Sequence, residues 1–174
     1  MLNTFMILLW MEQRILIFKK VLIFFFLLIF ALPAHSEKII KGKARIIDGD
    51  TIEVNYSKIR LHGIDAPEIK QSCSINDILW LCGIESEKAL KKLISNKDVN
   101  CDIIDKDRYK RSIGICFVNN QNINEYMVRN GWAIAYRYYS DDYIDQEEKA
   151  KQKKLGIWQG KFEEPYLFRK KQKK

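Results

Sequence analysis

The chain has 174 residues, with 30 Lys and Arg against 22 Asp and Glu, so its formal net charge is +8. This length fits one domain with additional segments, and the lack of internal repeats or low-complexity linkers argues against a repeat protein. The basic balance favours a polyanionic partner over an acidic one, although a basic surface can also serve solubility alone.

Residues 1–36 are predicted to be a secretory signal peptide. Lys19 and Lys20 precede an apolar run over residues 21–32, and small residues then occupy the −3 and −1 positions of a cleavage site that ends at Ser36. The apolar run is short for a membrane span. We therefore expect export to the periplasm or the extracellular medium.

Two alternatives remain open at this end of the chain. Apolar residues 15–18 could extend the hydrophobic stretch into an uncleaved anchor, which would leave the domain tethered to a membrane. Met11 also competes with Met1 as the start of translation.

The processed chain is predicted to contain one domain, over residues 37–162, and a basic C-terminal tail over residues 163–174, of which residues 169–174 are expected to be frayed. Removal of residues 1–36 takes away three basic side chains and one acidic side chain, which leaves a net charge of +6. The tail would add affinity for phosphates without adding sequence specificity.

Four cysteines lie in the exported part, namely Cys73, Cys82, Cys101 and Cys116. An even number in an oxidising compartment permits two disulfides, in three possible connectivities. The first two flank one loop and the last two fall on predicted neighbouring strands, so we favour the pairs 73–82 and 101–116. A zinc site is disfavoured because the spacings are too long for a CxxC pair and His62 alone remains after processing.

Three short strands, over residues 38–47, 51–54 and 59–62, are predicted to form a meander. Asp48-Gly49-Asp50 makes the first turn, since Asp-Gly is a strong hairpin signal. Alternation along the third strand places Arg60 and His62 on one face.

A helix-period pattern predicts a helix over residues 86–95. Two further strands are predicted at 99–104 and 112–118, then a short helix at 124–129 and a strongly charged helix at 143–154. Five short strands, with a helix between the third and the fourth, predict a mainly β fold with added α (α+β). We expect a five-stranded barrel of the OB type with about three helices, an architecture that often binds nucleic acids or oligosaccharides.

Acidic residues in two turns are candidates for metal-assisted hydrolysis. Asp50, Asp65 and the main-chain carbonyl of Ala66 can supply oxygen ligands to a hard cation. Glu68 lies three residues beyond Asp65 and can orient or deprotonate an attacking water. Either turn alone would more simply be structural, because acidic residues are frequent in turns.

Two arginines complete the candidate catalytic set. Arg60 and Arg111 stay charged and can each donate to two phosphate oxygens, which counters charge that develops in the transition state. Arg108 and Tyr109 are candidates for substrate binding, with Tyr109 able to stack on a base. The simpler alternative is a solvated hairpin tip over residues 105–111.

These residues carry a resemblance to a known family. The stretches Asp48-Gly-Asp-Thr51, Arg60-Leu-His-Gly-Ile-Asp-Ala-Pro-Glu68, Asp107-Arg-Tyr-Lys-Arg111, Asn130-Gly131 and Gly156-Ile-Trp158 resemble the thermonuclease, or staphylococcal nuclease-like, family. The resemblance covers roughly residues 38–160. It implies an OB barrel with added helices and Ca²⁺-dependent cleavage of DNA and RNA to 3′-phosphate ends.

By this resemblance, Asp50, Asp65 and Ala66 match the metal ligands and Glu68 matches the carboxylate that activates water. Arg60 and Arg111 match the two arginines that bind phosphate, and Tyr109 matches a tyrosine beside the bound nucleotide. The chain departs from the family pattern by an insertion from Cys73 to Cys82, a shorter loop before Asp107, and Lys110 where Gly is usual.

The sequence therefore predicts an exported Ca²⁺-dependent endonuclease that acts on DNA and RNA, as a monomer with no obligate protein partner. The main alternative is an OB-fold module that binds nucleic acid without efficient catalysis. A weaker one is a membrane-anchored interaction protein whose basic surface contacts lipid headgroups.

Overall fold

The computed structural model describes residue 14 and residues 17–20, 22–24 and 38–173. The chain divides into two compact units, Met1–Ser36 and Glu37–Lys174. The described residues of the first unit are helical and exposed. Among the described residues, no helix has both the length and the apolarity that a bilayer span requires. The predicted cleavage site and both candidate starts lie outside the described residues.

The second unit combines a main sheet with short hairpins and helices. Its strands are β1 (Lys38–Ile46), β2 (Thr51–Val54), β3 (Ser57–Leu61), β4 (Ile64–Asp65), β5 (Cys73–Ile75), β6 (Ile78–Trp80), β7 (Asp98–Lys106), β8 (Ser112–Val118), β9 (Gln121–Asn122) and β10 (Ile134–Ala135). Its helices are α1 (Cys82–Ile94), α2 (Ile123–Arg129), α3 (Ile144–Gln152), α4 (Pro165–Gln172) and a 3₁₀ helix over Gly156–Gln159.

Five strands close into a barrel. The main sheet runs in the order β3-β2-β1-β7-β8-β9, and β3 also pairs in parallel with β8, with Arg60 opposite Ile113. Strand β8 alternates strictly between buried and half-buried residues, as expected when one face lines a core. The predicted OB-type barrel with added helices is confirmed.

The barrel interior is filled by aliphatic side chains from the strands and from α1 and α2. Its most buried members include Ile52, Ile59, Leu61, Leu90, Val99 and Met127. Each fully buried side chain of this size contributes about 1.5–3 kcal/mol relative to exposure. The core therefore lies under the rim on which the acidic turns sit.

The insertion between the third strand and the first helix is a small hairpin. Strands β5 and β6 pair with each other, and a disulfide joins Cys73, the first residue of β5, to Cys82, the first residue of α1. The second disulfide joins Cys101 and Cys116, which face each other directly on β7 and β8. These are the two pairings that the sequence favoured.

The expectation of a frayed C-terminal end is wrong over residues 169–172, which belong to helix α4. Pro165 is buried at the first turn of α4, where its missing N–H costs nothing. The preceding segment is also attached to the domain, because Lys161 forms a β-bridge with Ser74 and the Glu163 carbonyl accepts a hydrogen bond from Gln71 Nε2 at 2.6 Å.

Candidate active site

Asp50 is fixed in the turn between β1 and β2. Its side chain is buried, and its Oδ2 accepts a hydrogen bond from the Ala66 amide at 2.8 Å while its Oδ1 accepts one from Thr51 Oγ1 at 3.0 Å. Gly49 allows this close approach, since a Cβ there would lie 2.0 Å from Ser86 Oγ. The turn and the Ala66 peptide are thus locked together, as the candidate ligand set requires.

Arg60 joins the two candidate metal carboxylates. It projects from β3, and its Nη1 lies 2.8 Å from Asp50 Oδ1 while its Nη2 lies 2.6 Å from Asp65 Oδ1. Burial opposes the charge of this guanidinium, but Asp50 and Asp65 more than compensate and raise the pKa of Arg60 above its ordinary value. Arg60 therefore remains a cation at any working pH.

The acidic groups of the site differ in how easily they ionise. Burial, with the neighbouring charge of Asp50, raises the pKa of Asp48 to about 7. Burial also raises the pKa of Asp65, although the hydrogen bonds from Arg169 act in the opposite direction and lower it. Asp48 Oδ1 accepts from the Asp50 amide at 3.0 Å, so this residue shapes the turn.

Asp65 is held by a short pair of strands that depends on a buried glutamate. Strand β4 pairs with β10, with Asp65 opposite Ile134. The carboxylate of Glu147, on α3, accepts hydrogen bonds from the Ala135 amide at 3.0 Å, from Arg137 at 2.6 Å and from Lys151 at 2.8 Å. Burial disfavours the charge of Glu147, but these hydrogen bonds outweigh it and hold its pKa below the ordinary value.

Glu68 is positioned by its backbone. Its amide donates to Gln71 Oε1 at 3.2 Å, and its carbonyl accepts from the Gln71 amide at 2.7 Å. The start of α1 packs closely against the same peptide, since a Cβ at Gly83 would lie 1.7 Å from the Glu68 carbonyl oxygen. The side chain is 33% exposed, and its Oε1 lies 2.8 Å from Nη1 of Arg169.

Arg111 is not in direct contact with the acidic cluster. Its Nε donates to Asp107 Oδ2 at 2.7 Å, within the turn that joins β7 to β8. Arg60 lies opposite Ile113 on the neighbouring strand, and Arg111 comes two residues before Ile113, just outside β8. The strand pairing thus brings Arg111 near the strand that carries Arg60, but the side chain of Arg111 pairs with Asp107.

The predicted substrate-binding residues form a small exposed cluster at this turn. Tyr109 is 57% exposed, and its ring lies 5.0 Å from the Arg108 guanidinium and 5.6 Å from that of Arg111. Lys110 adopts φ +64°, a left-handed conformation that suits glycine. The turn is therefore closed even though lysine occupies a position where glycine is usual.

Three tyrosines after β10 form another exposed surface. The rings of Tyr136 and Tyr139 lie 5.2 Å apart, and those of Tyr138 and Tyr139 lie 4.9 Å apart. Burial, followed by the charge of Asp65, raises the pKa of Tyr136. Tyr138 and Tyr139 are largely exposed, whereas Tyr136 is half-buried.

Sequence reasoning missed Arg169, which reaches the acidic cluster from α4. Its Nη1 lies 2.8 Å from both Asp65 Oδ1 and Glu68 Oε1, and its Nη2 lies 3.0 Å from Asp65 Oδ2. The partners are 104 and 101 residues away in sequence. The available signal was Pro165 before a helix-compatible run, but nothing local indicated the contact.

The donor set suits a hard cation. Asp50 and Asp65 offer carboxylate oxygens that one guanidinium bridges, and the Ala66 amide is hydrogen-bonded to Asp50, so the two carboxylates and residue 66 are neighbours. Within the described part of the chain, no three His, Cys, Asp or Glu side chains form a metal-binding group. The third predicted ligand is a backbone carbonyl, so the residues present fit a site of two carboxylates completed by other oxygens.

Comparison with known proteins identifies relatives of this site. The family model for the staphylococcal nuclease homologue matches residues 58–160, a span that holds Arg60, Asp65, Glu68 and Arg111 but neither Asp50 nor Arg169. The chain is 37% identical over 149 residues to an uncharacterized endonuclease of Haemophilus influenzae, covering 80% of this chain and 79% of that protein. It is 36% identical over 139 residues to an uncharacterized endonuclease of Escherichia coli O157:H7, covering 76% and 85%. It is 32% identical over 161 residues to a micrococcal nuclease of Shigella flexneri, covering 82% and 86%.

Proposed function

The chain belongs to the staphylococcal nuclease family, and on that premise we propose that it is an exported Ca²⁺-dependent endonuclease that cleaves DNA and RNA to 3′-phosphate ends. It is a nuclease, and hence a phosphodiester hydrolase, and it binds nucleic acid as its substrate. Members of the family generally depend on a metal ion. The observation that carries the proposal is the buried Asp50–Arg60–Asp65 arrangement with Glu68 beside it.

Each residue of the cluster has a role in this reaction. Asp50, Asp65 and the Ala66 carbonyl would hold the cation, which when bound polarises a phosphoryl oxygen and offsets negative charge. Arg60 uses two of its five N–H groups on carboxylates, so the others remain for phosphate oxygens. Donors fixed in this way before the substrate arrives stabilise the transition state without further reorganisation.

Glu68 is the group that would receive a proton. A carboxylate that accepts a proton from water makes the oxygen a better nucleophile toward phosphorus. Attack with cleavage of the bond between phosphorus and the 5′ oxygen leaves a 3′-phosphate on one fragment and a 5′-hydroxyl on the other. The 5′ oxygen takes up a proton as it leaves, so the products are one phosphate end and one hydroxyl end.

Export and a monomeric state are parts of the same proposal. Both disulfides suit an oxidising compartment, because cytosolic proteins seldom keep such bonds. The charge of +6 on the processed chain favours a polyanionic substrate directly. No obligate protein partner is needed for this chemistry, because the chain itself supplies the carboxylates and the arginines.

The test is digestion of single-stranded DNA and of RNA by the purified protein, with Ca²⁺ and with EDTA, followed by mapping of the fragment ends. We expect Ca²⁺-dependent internal cuts with 3′-phosphate ends. Glu68→Gln should lower kcat by about 10²–10⁴-fold while binding is retained. Glu87→Gln, the same change on α1, should leave kcat within about twofold, as for a surface substitution.

One observation favours a second candidate, the OB-fold module that binds nucleic acid with weak catalysis. Arg111 is paired with Asp107 rather than with the acidic cluster. Salt-sensitive binding of DNA without cleavage in Ca²⁺ would support this alternative and refute the proposed activity. Full activity in Glu68→Gln would refute the assigned role of Glu68.

A further inference from the structure

We propose that Arg169 is an internal cation of the active site, which competes with the divalent metal ion for Asp65 and Glu68 and leaves when the metal binds. Helix α4 would then act as an inhibitory strap that a divalent cation releases. This inference rests on the proposed cation dependence. Arg169 lies outside residues 58–160, the span that the family model matches.

The geometry engages the lone pairs that a metal ion would use. Arg169 contacts both oxygens of Asp65, at 2.8 and 3.0 Å, and Asp65 Oδ1 is shared with Arg60. The same Nη1 of Arg169 holds Glu68 Oε1 at 2.8 Å. A guanidinium in this position blocks one candidate ligand and the candidate base together.

Charge balance indicates why the contact is reversible. If only the carboxylates that pair with Arg60 or Arg169 are counted, Asp50, Asp65 and Glu68 contribute three negative charges. Arg60 contributes one positive charge, so a divalent cation brings this sum to zero. Arg169 would then add an unbalanced positive charge beside the metal ion. Without the metal ion, Arg169 instead reduces an excess of negative charge, so each cation disfavours the other, and the effect is reciprocal.

The attachment of α4 permits release. Pro165 is the one buried residue of this helix, and Tyr166 and Leu167 leave 47% and 43% of their surface exposed. Phe168 and Arg169 are half-buried, Arg169 with 28% of its side chain exposed, and the remaining residues of the helix after Pro165 are exposed. A segment with so little buried surface opens at low cost, and the Gln71 bond to the Glu163 carbonyl provides a fixed point about which it can move.

The first experiment measures Ca²⁺ binding by calorimetry in the full chain, without nucleic acid. We expect Arg169→Gln to lower the Kd for Ca²⁺ by about fivefold or more. Lys170→Gln removes the same charge from the same helix without removing the contact, and its Kd should stay within about twofold of the wild type. Equal Kd values for Ca²⁺ in the two variants would overturn the inference. If Arg169→Gln then also raised the KM for DNA, the role of Arg169 would be to bind the substrate instead.

A second measurement does not depend on a variant. Amide hydrogen exchange over residues 165–172 of the wild-type protein should be faster in Ca²⁺ than in EDTA, while exchange in β7 and β8 stays the same. Slower or unchanged exchange over α4 would overturn the inference. Absence of Ca²⁺ binding in both wild type and Arg169→Gln would overturn the proposed cation dependence, whereas equal binding in both overturns the strap alone.

Discussion

Glu147→Ala is expected to destabilise the protein by about 3 kcal/mol, because it removes the buried acceptor of a backbone amide together with two ion pairs. Glu147 is 1% exposed and accepts hydrogen bonds from Ala135, Arg137 and Lys151. Loss of the acceptor for the buried Ala135 amide costs about 1–3 kcal/mol. Arg137 and Lys151 have 46% and 34% exposed side chains and regain water, so their ion pairs contribute only about 0–1 kcal/mol each.

The assay is urea unfolding followed by tryptophan fluorescence. With a slope of about 2 kcal/mol per molar urea, the midpoint should fall by about 1.5 M. Glu148→Ala is the control, since this neighbour is 51% exposed and should change stability by less than about 0.5 kcal/mol. If the two variants unfolded at the same midpoint, the reasoning on the buried carboxylate would be refuted.

The same site gives a pH dependence. A carboxylate whose pKa is lowered on folding stabilises the protein above its unfolded pKa, and this contribution is lost as the pH falls through the folded pKa. The unfolded pKa of Glu is about 4.3. The stability difference between the wild type and Glu147→Gln should thus be constant above about pH 5 and should narrow below about pH 4. If the stability difference between the wild type and Glu147→Gln grew larger at acid pH, Glu147 would not be stabilised as an anion in the folded state.

Two further predictions concern the cross-links and the turn before β8. Serine replacement of Cys101 and Cys116 should cost about 3 kcal/mol of stability, and replacement of Cys73 and Cys82 about 2.5 kcal/mol, for separations of 15 and 9 residues. Only the replacement of Cys73 and Cys82 should also lower kcat, because that loop supports the Glu68 peptide. A greater loss of kcat on replacement of Cys101 and Cys116, or four free thiols in protein prepared from the periplasm or the medium, would contradict this. Lys110→Gly should raise stability by about 0.5–1 kcal/mol by removing a left-handed lysine, and Lys110→Ala should not, as thermal unfolding can show.

The barrel was predictable because its signals are local. Alternation along β3 separated Ile59 and Leu61 from Arg60, and the structure buries the first two. The acidic residues of the site also lie within 19 residues of each other in sequence, from Asp50 to Glu68, so motif spacing could group them. Patterns of this kind reflect contacts that recur within a few residues or across one hairpin.

The residues that support the site were not predictable, because their partners are distant in sequence. Gln71 is fully buried, yet its side chain satisfies the amide of Glu68 and a carbonyl 92 residues away. Glu147 lies in a highly charged helix, where sequence reasoning expects a solvated face, and it is buried because the Ala135 amide needs an acceptor. Arg169 was assigned to a basic tail, because its partners Asp65 and Glu68 are more than 100 residues away in sequence.

The long separation between Arg169 and its partners also has a consequence for the order of folding. The entropic cost of closing a loop rises by about 0.6 kcal/mol for each doubling of its length. Asp50 and Ala66 are 16 residues apart, whereas Asp65 and Arg169 are 104 apart, so the second contact carries about 1.6 kcal/mol more closure entropy. The carboxylates can therefore meet in an early, local hairpin, and α4 docks on a site that already exists, as the last element to join and the first to detach on heating.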